Sequence, residues 1–129
     1  MPYRELFLKN QLCHPLYSLS NALQRVYRPL LKPLGITYPQ YLILLALWER
    51  DGVNMQTLCE LTYFDSGTIT PLLQKLKAKG LIAIRPLPED RRNKLVYLTK
   101  LGRHLQEKAR AIPEFLACAL PLNNKEMSE

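Results

Sequence analysis

Apolar residues recur at helical spacing along most of this chain. Leu16, Leu19, Leu23, Val26 and Leu30 follow one another at intervals of three and four, one stripe of a helix. Pro15 suits its first turn, and Pro29 falls inside the pattern, where it is expected to kink or weaken the helix. Pro33 and Gly35 end it. Thr37 caps a second helix with Pro39 in its first turn and a core side of Tyr41, Leu42, Leu44, Leu45 and Trp48. After a turn at Asp51-Gly52, Asn54 caps a short third helix, Met55–Leu61, with Leu58 and Leu61 inward. A break at Thr62–Phe64 leads to a fourth helix, capped by Asp65 and Ser66, whose buried stripe is Ile69, Leu72, Leu73 and Leu76. Gly80 ends it in a left-handed conformation. Pro71 lies inside it, at a cost of about 3 kcal/mol in an undistorted helix, and nothing in the sequence accounts for it.

The period then changes. Leu81–Arg85 and Lys94–Leu98 read as two short strands joined by a turn over 86–93. Thr99 caps a last helix beginning near Leu101, with Leu105 and Ala109 on one side; Pro113 interrupts it, and Phe115, Leu116, Ala119 and Leu120 continue an apolar face. Residues 3–12 form a short mixed lead-in. The predicted fold is therefore mostly α with a small β-hairpin, one domain over 1–129. A helix–turn–helix pair followed by a hairpin with Glu89, Asp90, Arg91 and Arg92 at its tip is the working half of a winged helix-turn-helix, about 38–99. The same spacing also fits an amphipathic helix on a two-stranded ribbon with solvated charges.

Charge separates these readings. The chain has 18 Lys and Arg against 11 Asp and Glu, a net +7. Between Lys75 and Arg110 stand eleven basic and three acidic residues, a net +8, which leaves the remainder at −1. A basic region centred on the fourth helix and the hairpin is what phosphate binding requires. Ser66, Thr68, Thr70 and Gln74 are placed to reach base edges or phosphates from the major groove, and Lys75 and Lys77 to meet phosphates. Arg85 reads equally well as phosphate-facing or solvated.

The first helix, about 10–34, and the C-terminal segment, about 100–122, look too apolar for a lone small domain. Packed together and against a second copy, they would form a dimer base, and a two-fold dimer matches an inverted-repeat operator; the other reading is that they pack onto their own domain. No run of about 18 apolar residues exists, and the mixed-charge N-terminus is no secretory signal, so a cytoplasmic protein is expected. Three cysteines, an odd number, argue against a disulfide framework. No pair among Cys13, His14, Cys59, His104 and Cys118 has zinc-ligand spacing, and no metal or cofactor is expected.

Four blocks carry a family resemblance: QLCHPLYSLSNALQRVYRPLL, GITYPQYLILLALWE, DSGTITPLLQKL and EDRRNKLVYLT. They resemble the MarR family of winged-helix repressors, and most closely its organic-hydroperoxide-sensing, OhrR-like branch, over about residues 10–120. The resemblance implies a homodimeric DNA-binding repressor with a cysteine sensor. It matches the peroxide-reactive cysteine to Cys13 and the tyrosines that hydrogen-bond it to Tyr27 and Tyr38, with Tyr17 nearby. It matches the Asp-x-Arg wing motif to Asp90 and Arg92, the arginine entering the minor groove and Arg91 contacting the backbone. Cys118 sits where a subset of the branch has a resolving cysteine. Members usually continue for another helix past the position of Leu120, where this sequence has the polar LNNKEMSE, and they more often carry small or aromatic residues where His14-Pro15 stands.

A thiol attacks a peroxide as the thiolate. Cys13 lies just before the first turn of the Pro15 helix, whose positive end favours that anion, as do tyrosine hydroxyls. Oxidation gives a sulfenic acid, which a second thiol condenses with. Cys59, beside Leu58 and Leu61, reads as core. Two other functions fit the sequence: a MarR-type regulator released by a small aromatic ligand, and a thiol peroxidase. The latter ranks last, since no Arg–Thr–Cys cluster accompanies the thiol, and the chain is not expected to be an enzyme.

Overall fold

The computed structural model describes residues 3–90 and 92–119. Two 3-10 turns, Arg4–Leu6 and Leu8–Asn10, lead into α1, Cys13–Leu31. α1 runs unbroken through Pro29 and tightens into a 3-10 turn, Lys32–Leu34, closed by Gly35 at φ +71°. α2 is Tyr38–Glu49. Thr37 accepts from the Gln40 backbone N–H at 3.4 Å while the Gln40 side chain accepts from the Thr37 N–H at 3.1 Å, a reciprocal capping box. Strand β1, Val53–Asn54, comes next, and Asn54 then caps α3, Met55–Thr62. α4 is Ser66–Ala78, β2 Ile82–Pro86, β3 Lys94–Leu98, α5 Lys100–Ala109 and α6 Ala111–Ala119.

β1 was not expected from sequence. It pairs antiparallel with β3, Val53 opposite Val96, so the hairpin β2–β3 becomes a three-stranded sheet of order β1-β3-β2. The chain also turns between α3 and α4 on Tyr63, a non-glycine residue at φ +61°, within the expected break. Gly80, at φ +74°, ends α4 as predicted, with Leu81 N–H donating back to the Leu76 carbonyl at 3.1 Å. Pro71 leaves the Gly67 carbonyl without its helical donor; both residues are exposed, so water reaches that oxygen.

The core is built where α2, α3, α4 and the sheet meet. Ile43, Leu44, Leu47, Leu58, Ile69, Leu73 and Leu76 are fully buried, against Ile82 and Val96 from the sheet. Three expected inward faces are corrected. In α2 the buried apolar residues are Tyr41, Ile43, Leu44 and Leu47, while Leu42 and Trp48 are half-buried and Leu45 is exposed. In α3 Leu58 is buried but Leu61 is exposed, and in α4 Leu72 is only half-buried. In the C-terminal segment the break falls at Arg110, ahead of Pro113, which sits in the first turn of α6; Ile112 and Leu116 point inward and Phe115 outward. Leu120, the LNNKEMSE tail and Arg91 lie outside the described residues.

α1 itself is half bare. Leu31 is buried, Leu23, Val26 and Leu30 are half-buried, but Leu12, Leu16, Tyr17 and Leu19 are 62 to 83% exposed. This is the unpartnered apolar face that the sequence pattern implied. Among the described residues no single helix is long and apolar enough to cross a membrane.

Candidate functional site

One end of the molecule presents α4. Asp65 fixes its start, accepting from the Thr68 N–H at 2.7 Å. The Thr68 side chain, and then that N–H, hold the Asp65 carboxyl below its ordinary 3.8. Ile69, Leu73 and Leu76 point inward, which leaves Ser66, Thr68, Thr70, Gln74, Lys75 and Lys77 exposed together on the outer side. The thirteen residues of α4 make a rod about 20 Å long, of a size to enter a major groove. The Thr70 hydroxyl donates to the Ser66 carbonyl at 2.8 Å, so it faces any ligand chiefly as an acceptor. Lys75 and Lys77 lie in the last turn, where their charge also favours the helix end.

The turn between β2 and β3 carries the second group. Asp90 Oδ1 accepts from the Arg92 backbone N–H at 3.0 Å, and Asn93 N–H donates to the Asp90 carbonyl. Asp90 thus shapes the turn through the backbone and leaves the Arg92 side chain exposed. Arg85 lies with its guanidinium carbon 6.0 Å from the centre of the Tyr97 ring, stacked along the strand ribbon.

The thiol group belongs to the start of α1. Cys13 is the first residue of α1 and is exposed. Leu12, at the N-cap, makes no side-chain capping bond. Tyr17, four residues on, shares its face of the helix. Tyr27 does not: fourteen residues further along α1 it lies about 21 Å from Cys13. Tyr27 instead packs against Tyr38 at 4.9 Å and Tyr41 at 5.7 Å, the rings tilted by 47° and 46°, and Tyr41 meets Trp48 edge-on at 6.3 Å. Trp48 in turn donates to the Gly102 carbonyl at 3.0 Å. Burial first, and then the Tyr38 neighbour, push the Tyr27 phenol up; burial pushes Tyr41 up to about 12. Both hydroxyls therefore stay protonated near neutral pH and remain donors. One chain thus brings Tyr27 and Tyr38 together but holds Tyr27 far from Cys13. Cys118, on α6, is exposed, and Cys59 is half-buried against the core, as expected.

Sequence reasoning missed a polar knot beside Tyr38. Gln40 is the one buried polar residue among those described. Its side-chain oxygen accepts from Lys79 Nζ at 2.7 Å, and the same ammonium donates to the Gly35 carbonyl at 2.7 Å. The T-x-x-Q spacing of Thr37 and Gln40 was a visible signal for the box; the approach of Lys79, 39 residues away, was not. A cavity of about 440 Å³ opens next to the knot, lined among others by Arg28, Lys32, Thr37, Tyr38 and Lys79.

Comparisons with known proteins agree with this geometry. The model of the MarR family matches residues 34–93. The organic hydroperoxide resistance transcriptional regulator of Bacillus subtilis strain 168 is 47% identical over 106 residues, 82% of this chain and 72% of that protein. AbfR of Staphylococcus epidermidis, solved reduced and bound to DNA, has a TM-score of 0.76 at 33% identity, over 84% of this chain and 81% of its own; AbfR is also known with a disulfide formed. BpsR of Bordetella bronchiseptica, whose DNA binding is regulated by 6-hydroxynicotinic acid, has a TM-score of 0.80 at 26% identity, over 99% of this chain and 91% of its own. With its exposed α4, its hairpin carrying an exposed Arg92 and these relatives, the chain belongs to the MarR family of DNA-binding winged-helix transcriptional regulators.

Proposed function

We propose that this protein is a homodimeric repressor that senses organic hydroperoxides through Cys13 and then leaves its operator. The observation that carries the reading is the placement of Cys13: exposed, first in α1, on the bare apolar face of Leu12, Leu16, Tyr17 and Leu19. Two copies of α1 crossing antiparallel near Ser20 cover that face. The same crossing sets Cys13 of one copy level with Tyr27 of the other, since both lie seven residues from Ser20. The tyrosine–thiol contact is then an intersubunit one. It supplies protonated phenols as donors to a thiolate in a site closed from water on one side.

The Cys13 thiolate attacks the terminal oxygen of ROOH. The O–O bond breaks, an S–O bond forms, and the alkoxide takes a proton to leave as ROH, giving Cys13 sulfenic acid. The Cys118 thiol then attacks that sulfur, an S–S bond forms, and water leaves. A bond between these positions needs Cα atoms within about 7 Å, so α1 and α6 must approach, in one chain or across two. Either way the base carrying the two α4 helices changes shape, and half-sites about 34 Å apart are no longer matched. The sensor works once per oxidation, as a switch and not as an enzyme. The setting is the cytoplasm, where thiols are kept reduced. DNA is engaged by Ser66, Thr68, Thr70, Gln74, Lys75 and Lys77 from α4, and by Arg92, placed by Asp90, from the wing; Arg91 is assigned there by resemblance alone.

The test is operator binding by mobility shift with and without cumene hydroperoxide. The reduced protein is expected to bind an inverted-repeat operator and the oxidised protein to release it, with Cys13→Ser bound in both conditions. Equal release of Cys13→Ser and wild type refutes the thiol mechanism.

A second reading has its own observation. The 440 Å³ cavity beside Tyr38 has Arg28, Lys32 and Lys79 around it, a setting for a small aromatic carboxylate, and BpsR answers to one. Release by such a compound, with no effect of hydroperoxide, selects this reading.

A further inference from the structure

We propose that Lys79 is a positioning residue that carries movement of Tyr38 to the recognition helix α4. The inference rests on the sensor reading above for its biological use, but its mechanical content stands on geometry alone. Lys79 closes α4, and its ammonium reaches out of that helix to two oxygens, the Gly35 carbonyl and Gln40 Oε1, each at 2.7 Å. Gly35 ends the turn that follows α1, and Gln40 lies in the first turn of α2. A single cation therefore joins the end of the helix bearing Cys13, the start of the helix bearing Tyr38, and the end of the helix that reads DNA.

Three further observations give the joint its direction. First, Gln40 is buried, and its oxygen is already shared with the Thr37 N–H at 3.1 Å. It cannot follow a moving neighbour by swinging into solvent; it moves with the first turn of α2 or loses its partners. Second, Tyr38 lies between Thr37 and Gln40 in that turn, and its ring packs against Tyr27 with centroids 4.9 Å apart. Pulling Tyr38 off Tyr27 disturbs the capping box, and with it the acceptor of Lys79. Third, Tyr38 and Lys79 both line the 440 Å³ cavity, so the ring has empty space to move into, where a close-packed core would resist it. A charge-assisted hydrogen bond to a buried oxygen is a discrete contact, made or broken, and such contacts suit two-state coupling better than yielding apolar packing does.

The direct test is amide hydrogen exchange on the reduced, full-length protein without DNA. Tyr38→Leu is expected to speed exchange over residues 76–81 by about tenfold in the wild-type background and to add less than about twofold after Lys79→Met. Full additivity of the two substitutions overturns the proposal, and so does an α4 that ignores Tyr38→Leu. In operator binding, Lys79→Met is expected to reduce the ratio of Kd after and before cumene hydroperoxide by about fivefold or more, with Cys13 labelled by dimedone at the wild-type rate. The slope of log affinity against log salt should stay as in wild type. A slope smaller by about one unit would make Lys79 a phosphate contact, and an unchanged Kd ratio would make the joint merely structural; either result overturns the proposal. Wild-type protein that stays on its operator after hydroperoxide refutes the sensor reading, while the exchange experiment still decides the role of Lys79.

Discussion

Two helical glycines meet opposite surroundings, and the same substitution at each should have opposite effects. Gly102, in the first turn of α5, packs against the strand side of the molecule. A Cβ built there falls 2.1 Å from the Leu81 carbonyl oxygen, 3.2 Å from the Leu81 carbonyl carbon and 3.3 Å from Leu98 Cδ2. The offending atom is backbone, so no rotamer change relieves it. Restoring ordinary contact means withdrawing α5 from Leu81 by about 1 Å, which is more than a close-packed boundary yields without loss. The shift also strains the bonds on either side. The Thr99 hydroxyl accepts from Gly102 N–H at 3.1 Å and donates to the Gly80 carbonyl at 2.6 Å, and Trp48 donates to the Gly102 carbonyl at 3.0 Å. Overpacking costs about 1–3 kcal/mol in general, and a clash with backbone belongs at the top of that range. Gly102→Ala should therefore lose about 3 kcal/mol, or roughly 10 °C in Tm for a chain of this size. At Gly67, in the first turn of α4, the nearest atom to a built Cβ is Asp65 Oδ1 at 3.6 Å, an ordinary contact. Gly67→Ala should be neutral or gain up to about 1 kcal/mol from reduced freedom of the unfolded chain. The assay is urea unfolding followed by circular dichroism at one fixed protein concentration, because a dimer's stability depends on concentration. Equal stability of the two variants would refute the placement of α5 against Leu81.

Other consequences can be checked separately. Arg92→Ala should weaken operator binding by about 1–3 kcal/mol while leaving the unfolding midpoint unchanged, and titration by fluorescence anisotropy measures the first. Leu16→Glu puts a charge on the bare face of α1 and should convert a dimer to monomers in sedimentation velocity, with the far-ultraviolet helix signal retained. Asp65 has a carboxyl lowered from 3.8 in the folded state, so its stabilising contribution is complete above that value and is lost as pH falls through the lower folded one. In Asp65→Asn the cap bond remains but cannot titrate, and the acid unfolding curve should lose that dependence; an identical acid limb in both proteins would contradict the assignment.

What was legible in the sequence was local. The caps at Thr37, Asn54, Asp65 and Thr99 each make the expected side-chain bond, because a cap is decided within four residues. Gly80 was readable for the same reason. The stretch YLILLALW was misread because it is apolar all round and gives a helix no polar side by which to orient it; only packing against α3 and α4 selects Ile43 and Leu47. β1 is two residues long and exists through its pairing with β3, too short to show a period of its own. The basic outer side of α4 and the Asp90–Arg92 turn were visible as residue types in order. The distance between Cys13 and Tyr27 was visible too, as fourteen residues on one predicted helix; which copy supplies each residue was not, since a resemblance pairs residues without saying so. The reach of Lys79 to Gln40 likewise depends on tertiary packing.

The central claim is that oxidation of one sulfur, Cys13, governs occupancy of the operator. Titrating the reduced protein on labelled operator DNA with cumene hydroperoxide, and following anisotropy together with loss of the free Cys13 thiol, read by alkylation and mass spectrometry of quenched samples, tests it most directly. Dissociation that tracks Cys13 oxidation in step, and is reversed by dithiothreitol in a protein that retains Cys118, is the predicted result. DNA that stays bound while Cys13 is fully oxidised, or dissociation while Cys13 is still a thiol, would contradict it.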